Sequence, residues 1–267
     1  MTDMSTPRKD PDFLQIRVHG DDNRPTLIYL PGIHGDWTLV TAFRLLVQDR
    51  VRFVEFTYPR TTSWSLEEYA AGVVKKLDEK GIRDGWLLAE SFGSQLVWPM
   101  VGKGMFKPEG IILAGGFGPH PFKLGVHLSK LLCAAIPMAG VWLALAFYKL
   151  VSRIRFRNQA ESMAAVEEFV ERRTYEDKCA MTHRLRLIAA NQPKELASKI
   201  EAPIYHLSGL WDIVVPWGAA RRWVKKHVPK YQGQKLVAAA DHTVLPMTPK
   251  QSAESILGWM GIDHVTA

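Results

Sequence analysis

Ser91, Asp212 and His242 are the residue types that acyl-transfer chemistry needs, and each follows a short apolar run. A serine hydroxyl is a weak nucleophile until a neighbouring imidazole accepts its proton, and the imidazole needs a carboxylate on its other nitrogen. Ser91 lies in Ala89-Glu90-Ser91-Phe92-Gly93-Ser94, after GWLLAE and before a helical pattern. A serine at a sharp strand-to-helix turn exposes its hydroxyl, and the residues two before and two after it must be small because the two backbones pass closely. Ala89 and Gly93 meet that need, with Ala in place of the first glycine of G-x-S-x-G. Asp212 follows PIYHLSG, in Leu210-Trp211-Asp212-Ile213-Val214-Val215-Pro216, and His242 follows KLVAAA, in Asp241-His242-Thr243. The resulting assignment makes Ser91 the nucleophile, His242 the general base and Asp212 the acid that orients it. Each has a plainer use as well: Ser91 as a helix N-cap, Asp212 as a turn or capping residue before the next helix, His242 as a surface histidine. Asp241 and Glu90 are set aside because neighbours in an extended chain point apart.

The same chemistry requires backbone N–H donors for the charge that develops on the substrate carbonyl. Phe92 supplies one by position. The loop after TLIYL reads Pro31-Gly32-Ile33-His34-Gly35-Asp36, and aligning Pro31-Gly32 with the strand end makes Ile33 the second donor, whereas aligning His34-Gly35 makes it Asp36. Ile33 is preferred because it lies closer to the strand tip; a glycine turn with no catalytic role is the alternative. His34, Trp37 and Trp217 are the expected substrate contacts.

Strands that bring these loops together are read at 13–18, 26–30, 52–58, 85–90, 110–115, 203–209 and 235–240, and helices at 37–48, 66–80, 92–102, 217–227 and 250–260. Ser65 is the expected N-cap of the second helix and Gly81 its stop. Strands separated by helix-length segments need right-handed crossovers, which predicts an α/β fold: a mostly parallel central sheet with helices on both faces. The interval 117–200 shows helical patterns and no convincing strand, so it is read as a helical cap inserted between core segments 1–116 and 201–267. Ligands bind outside the carboxyl ends of the strands of such sheets, so this cap is placed to roof the crevice.

From about residue 24 to 260, through LPGIHGDW, AESFGS, GLWDIVVP and DHTVLP, the chain resembles the α/β-hydrolases, whose chain order is also Ser, Asp, His. The LPG loop and AESFG turn are similar to those of small esterases and of lysophospholipase-like or serine-aminopeptidase-like members. The resemblance implies a serine hydrolase acting on carboxylic esters, with no metal and no dissociable cofactor. Thioester hydrolysis or acyl transfer would use the same residues, and a non-catalytic binding protein would keep the fold and pocket. Competing motifs are missing from the sequence: there is no HExxH, no phosphate-binding G-x-x-x-x-G-K-[ST] and no EF-hand loop.

The chain has 267 residues, 47% of them hydrophobic, enough to bury one sizeable core plus an insertion. Its first ten or so residues read as a loose tail. Lys and Arg number 34 against 27 Asp and Glu, giving +7, but no nucleic-acid motif accompanies them, so a solvated basic surface is expected rather than a nucleic-acid partner. Cys133 and Cys179 lack zinc-site spacing, and the N-terminus lacks a secretory signal, which points to a reducing, cytoplasmic address. Residues 131–148, LLCAAIPMAGVWLALAFY, are 18 positions without a charge, between Lys130 and Lys149. That length just meets a membrane span, but Pro137 interrupts it. The segment is read as an apolar lid lining a hydrophobic acyl pocket. The sharper alternative is a lid dipping into the inner membrane surface, helped by Lys149, Arg153, Arg155 and Arg157. Both point to a small-molecule hydrophobic ester as substrate.

Overall fold

The computed structural model describes residues 13–157 and 159–262, so the expected N-terminal tail lies outside the described residues. Seven strands form one sheet: β1 (Gln15–His19), β2 (Thr26–Leu30), β3 (Arg52–Thr57), β4 (Trp86–Glu90), β5 (Gly110–Ala114), β6 (Ile204–Gly209) and β7 (Tyr231–Val237). Their spatial order is β1-β3-β2-β4-β5-β6-β7; only β1 is antiparallel, against β3. TLIYL, WLLAE and GIILA are buried at every position, as central strands covered on both faces must be. From β2 the chain moves outward to β3 and then returns past β2 to β4. This reversal places a crevice at the carboxyl ends of β2 and β4, where an open α/β sheet binds its ligand.

One face is covered by α2 (Leu66–Glu79), α3 (Gly93–Gly102), α8 (Lys194–Ala197) and α9 (Trp217–His227). The other carries a 3-10 turn at Thr38–Val40 with α1 (Thr41–Val47), α10 (Val244–Met247) and α11 (Pro249–Trp259). Helix α2 begins at a capping box in which the Ser65 N–H donates to Glu68 at 2.6 Å and the Glu68 N–H donates to Ser65 Oγ at 3.2 Å. The expected α/β fold is the one observed, and strand boundaries agree to within two residues except in the last strand. The last strand, expected at 235–240, runs instead from Tyr231 to Val237. Its first half, YQGQ, pairs with β6 at the sheet edge and is only partly buried, so it lacks the apolar run that marks the inner strands.

Between β5 and β6, ahead of α8, stand α4 (Lys123–Ala135), α5 (Met138–Arg155), α6 (Ala160–Glu171) and α7 (Tyr175–Ala190), with no strand among the described residues there. Pro137 is the N-cap of α5, and α4 and α5 meet there with a bend of 115°. Among the described residues no single helix is long and apolar enough to cross a membrane. Helix α4 packs on α7, and α5 on α6.

Candidate active site

Strand β4 delivers Ser91 into a turn that no ordinary strand-to-helix junction makes. Its φ is +48°, the only positive φ of a non-glycine residue among the described residues, and α3 starts two residues later. A side chain on Gly93 would meet the Leu30 carbonyl oxygen at 2.2 Å, so the small residue is imposed by β2 passing behind the turn. Ala89, in the place of the first glycine, is fully buried and its methyl group fits. The Ser91 N–H donates to Ala114 at 3.0 Å and Ser94 Oγ donates to the Ser91 carbonyl at 2.6 Å, tying the turn to β5 and to its own helix.

Ser91 Oγ lies 2.8 Å from His242 Nε2, and His242 Nδ1 lies 2.8 Å from Asp212 Oδ2. With the ring proton on Nδ1, the imidazole donates to the carboxylate and accepts from the serine hydroxyl. Asp212 lies three residues past β6, and its other oxygen accepts from the Val214 N–H at 3.0 Å and the Val215 N–H at 2.8 Å. It is therefore the turn residue and the partner of His242 at once, one use per oxygen. Because β7 ends at Val237, His242 stands on a connection before α10 rather than at a strand tip. Asp241, beside it, accepts from Arg155 at 3.0 Å and from the Thr243 N–H at 2.9 Å.

The loop after β2 runs against Ser91: a methyl group on Gly32 would stand 3.5 Å from its Cβ. Ile33 is the next residue, and neither its N–H nor that of Phe92 donates to another described residue. The loop is clamped from α7. Arg184, fully buried, donates to the carbonyls of Ile33 at 3.0 Å, His34 at 3.1 Å and Pro59 at 3.1 Å, beneath the rings of Tyr58 and Tyr69. Gly35, at φ +81°, has no room for a side chain, which would meet that guanidinium at 2.4 Å. A second cation, Arg173, pairs with the buried Asp36. Burial would raise the Asp36 carboxyl, but Arg173 and the Thr38 hydroxyl hold it well below the ordinary carboxylate range.

These groups open into a cavity of about 700 Å³ between the sheet and helices α4, α5 and α7, within the usual size of a small-molecule site. Phe117, Phe122, Val126, Tyr148, Phe156 and Ile188 make much of its wall apolar. His34 lines it as expected, edge-on to Phe169 at 4.7 Å; burial, reinforced by Arg173, lowers its pKa to about 4, so it is neutral at pH 7. Trp37 and Trp217 do not line it, which corrects both expected contacts. Trp37 turns into the core on the α1 side, with the Arg17 guanidinium 3.8 Å above its ring. Trp217 opens α9, and the preceding Ile213, Val214 and Val215 occupy the wall instead.

Glu90, set aside as the triad acid, lines the cavity and accepts from the Tyr29 hydroxyl. Burial raises its carboxyl above the ordinary range, opposed by the Tyr29 bond. A carboxylate closing the otherwise apolar run WLLAE was the available signal. Arg173 and Arg184 had none, since their partners are more than 100 positions away. Among the described residues no group of three His, Cys, Asp or Glu could hold a metal ion.

The fold is shared with solved structures. The chain is similar to a hydrolase from Pseudomonas aeruginosa PA01, with TM-score 0.75 and 14% identity over 93% of this chain and 94% of that one. It is similar to the enol-lactonase from Burkholderia xenovorans LB400, with TM-score 0.75 and 13% identity over 93% and 96% of the two chains. It is also similar to an esterase from Rhodococcus sp. ECU1013, with TM-score 0.73 and 18% identity over 93% and 94%. No family model and no curated protein matches the sequence. The chain has the α/β-hydrolase fold, with a seven-stranded sheet and eleven α-helices among the described residues.

Proposed function

We propose that the chain hydrolyses carboxylic esters with a hydrophobic acyl or alkyl part, through an acyl-serine intermediate. The observation that carries this reading is the unbroken relay from Asp212 through His242 to Ser91, both links 2.8 Å, ending at a strained turn that faces an apolar cavity. Esterases and a lactonase among the structures of similar fold support it.

Ser91 Oγ attacks the ester carbonyl as His242 Nε2 takes its proton, and Asp212 stabilises the imidazolium that forms. The N–H groups of Ile33 and Phe92 receive the charge on the former carbonyl oxygen, held in place by the Arg184 clamp. Collapse expels the alcohol, which leaves with the proton from Nε2. Water then repeats the sequence on the acyl-serine, with His242 again as base, releasing the acid and restoring the hydroxyl. Helices α4 to α7 act as the cap that sets which chain fits. His34 and Glu90 stand on the same wall as polar contacts for the substrate.

Hydrolysis of p-nitrophenyl esters from acetyl to palmitoyl, by wild type and Ser91→Ala, tests this. Turnover favouring acyl chains longer than acetyl, reduced by roughly 10³-fold or more in the variant, is expected. Equal turnover by the two proteins, or none by wild type at any length, would overturn it.

A further inference from the structure

Two of the inserted helices, α4 and α5, are amphipathic the wrong way round for a cap that faces water. On α5, Leu143, Phe147, Leu150, Val151 and Ile154 recur at helical spacing and all point outward; Leu143 is 71%, Phe147 67% and Ile154 73% exposed. The opposite face presents Tyr148, Ser152 and Phe156 to the cavity. Helix α4 repeats the pattern with Leu124, Leu128, Leu131 and Leu132 exposed, while Val126 lines the cavity. A helix on a water-soluble surface turns its apolar stripe inward, and monomers seldom expose contiguous apolar patches of this size. The stripe reaches the cavity mouth. Phe122, Ile213 and Val214 line the cavity while standing exposed, Ile213 at 91%.

Charge says what covers this face. From residue 110 to 160 the chain has Lys123, Lys130, Lys149, Arg153, Arg155 and Arg157 and no Asp or Glu, so this one segment carries six of the seven net positive charges. Three of these cations are paired with carboxylates from outside the segment: Lys149 and Arg153 lie 3.0 and 3.9 Å from Glu167, and Arg155 3.0 Å from Asp241. An apolar stripe bordered by cations, on two helices bent at 115° rather than one straight span, matches the surface of an anionic bilayer in chemistry and in shape. A second copy of the chain would bring the same positive segment against itself.

We propose that the outward face of α4 and α5 docks into the surface of an anionic lipid bilayer, with the cavity mouth against the lipid, so that an acyl ester resident in the membrane reaches Ser91 without crossing water. The passage to Ser91 rests on the hydrolase reading above; the docking does not.

Cosedimentation of the full chain with vesicles of mixed phosphatidylglycerol and phosphatidylcholine, and with phosphatidylcholine alone, tests the docking. The same preparations of wild type and of Leu143→Glu/Phe147→Glu are assayed on soluble p-nitrophenyl butyrate and sized by light scattering. Wild type is expected to sediment with the anionic vesicles and much less with neutral ones, with binding weakened by high salt. The double variant is expected to lose roughly tenfold or more in partitioning while its butyrate turnover stays within about twofold. Equal sedimentation of the two proteins, or no binding of wild type, would overturn the proposal. A wild-type dimer that the double substitution splits would overturn it too, since the face would then be covered by a second copy. Absence of butyrate hydrolysis in both proteins would count against the hydrolase reading alone, with sedimentation still deciding the docking.

Discussion

At the scale of single residues, the site depends on backbone that side chains would obstruct. Gly93 is the sharpest case, because any Cβ there lands 2.2 Å from a backbone oxygen that β2 cannot move without shifting the sheet. Gly93→Ala is therefore expected to lower stability by more than about 2 kcal/mol and to abolish activity, as read by urea unfolding beside ester turnover. A variant as stable as wild type would mean that the turn relaxes easily. Ser91, Asp212 and His242 could be picked out from the sequence because each sits in a short motif past an apolar run, and the structure brings the three together. Glu90 was discarded on the rule that neighbours point apart, but that rule holds within a strand. At Ser91 the chain has already left the strand, with φ at +48°, so both side chains reach the cavity. The aromatic residues Trp37 and Trp217 were poor guides because their burial or placement depends on elements far away in sequence.

At the scale of elements, the loop after β2 is fixed by α7, a helix that arrives about 150 residues later. Arg184→Met on α7 leaves the carbonyls of Ile33, His34 and Pro59 without their donor, so the loop bearing the Ile33 N–H loses its anchor. Catalysis should fall by roughly 10²-fold in kcat with a smaller change in KM, and Arg184→Lys should recover part of it. A pure KM effect would mean that Arg184 shapes the cavity rather than the donor. Strand β6 carries a second dependence. His206 is fully buried, donates its Nε2–H to the Gly116 carbonyl at 2.7 Å, and burial lowers its pKa to about 4 from 6.5. The native state thus favours the neutral ring. Its contribution is complete above pH 6.5 and is lost as pH falls toward 4, where the unfolded chain binds a proton that the native chain refuses, a loss of about 3 kcal/mol. His34, lowered for the same reason, acts in the same direction. Urea unfolding at pH 7 and pH 4.5 should show a smaller acid loss in His206→Gln than in wild type; equal losses would contradict the assignment. The inner strands were legible because burial on both faces makes them unbroken apolar runs. The start of β7 was not, because an edge strand can hold the polar YQGQ.

At the scale of the whole molecule, the loops beyond the sheet's strands carry Ser91, Asp212 and His242, and the inserted helices carry the Arg184 clamp, part of the cavity wall and an apolar outer face. The sequence showed the insertion as an interval without strands, and the break at Pro137 in its apolar run. It did not show which way the apolar stripes turn, since that depends on what α6 and α7 cover. Nor does overall composition reveal that the net charge belongs almost entirely to residues 110–160. The account as a whole stands on Ser91 being activated by His242 in the assembled site. Reaction with a fluorophosphonate, followed by mass spectrometry of the intact chain and its peptides, measures that most directly. The predicted result is one adduct, located on Ser91, formed in wild type and lost in both Ser91→Ala and His242→Ala. An adduct on another residue, or none on a folded wild-type chain, would contradict it.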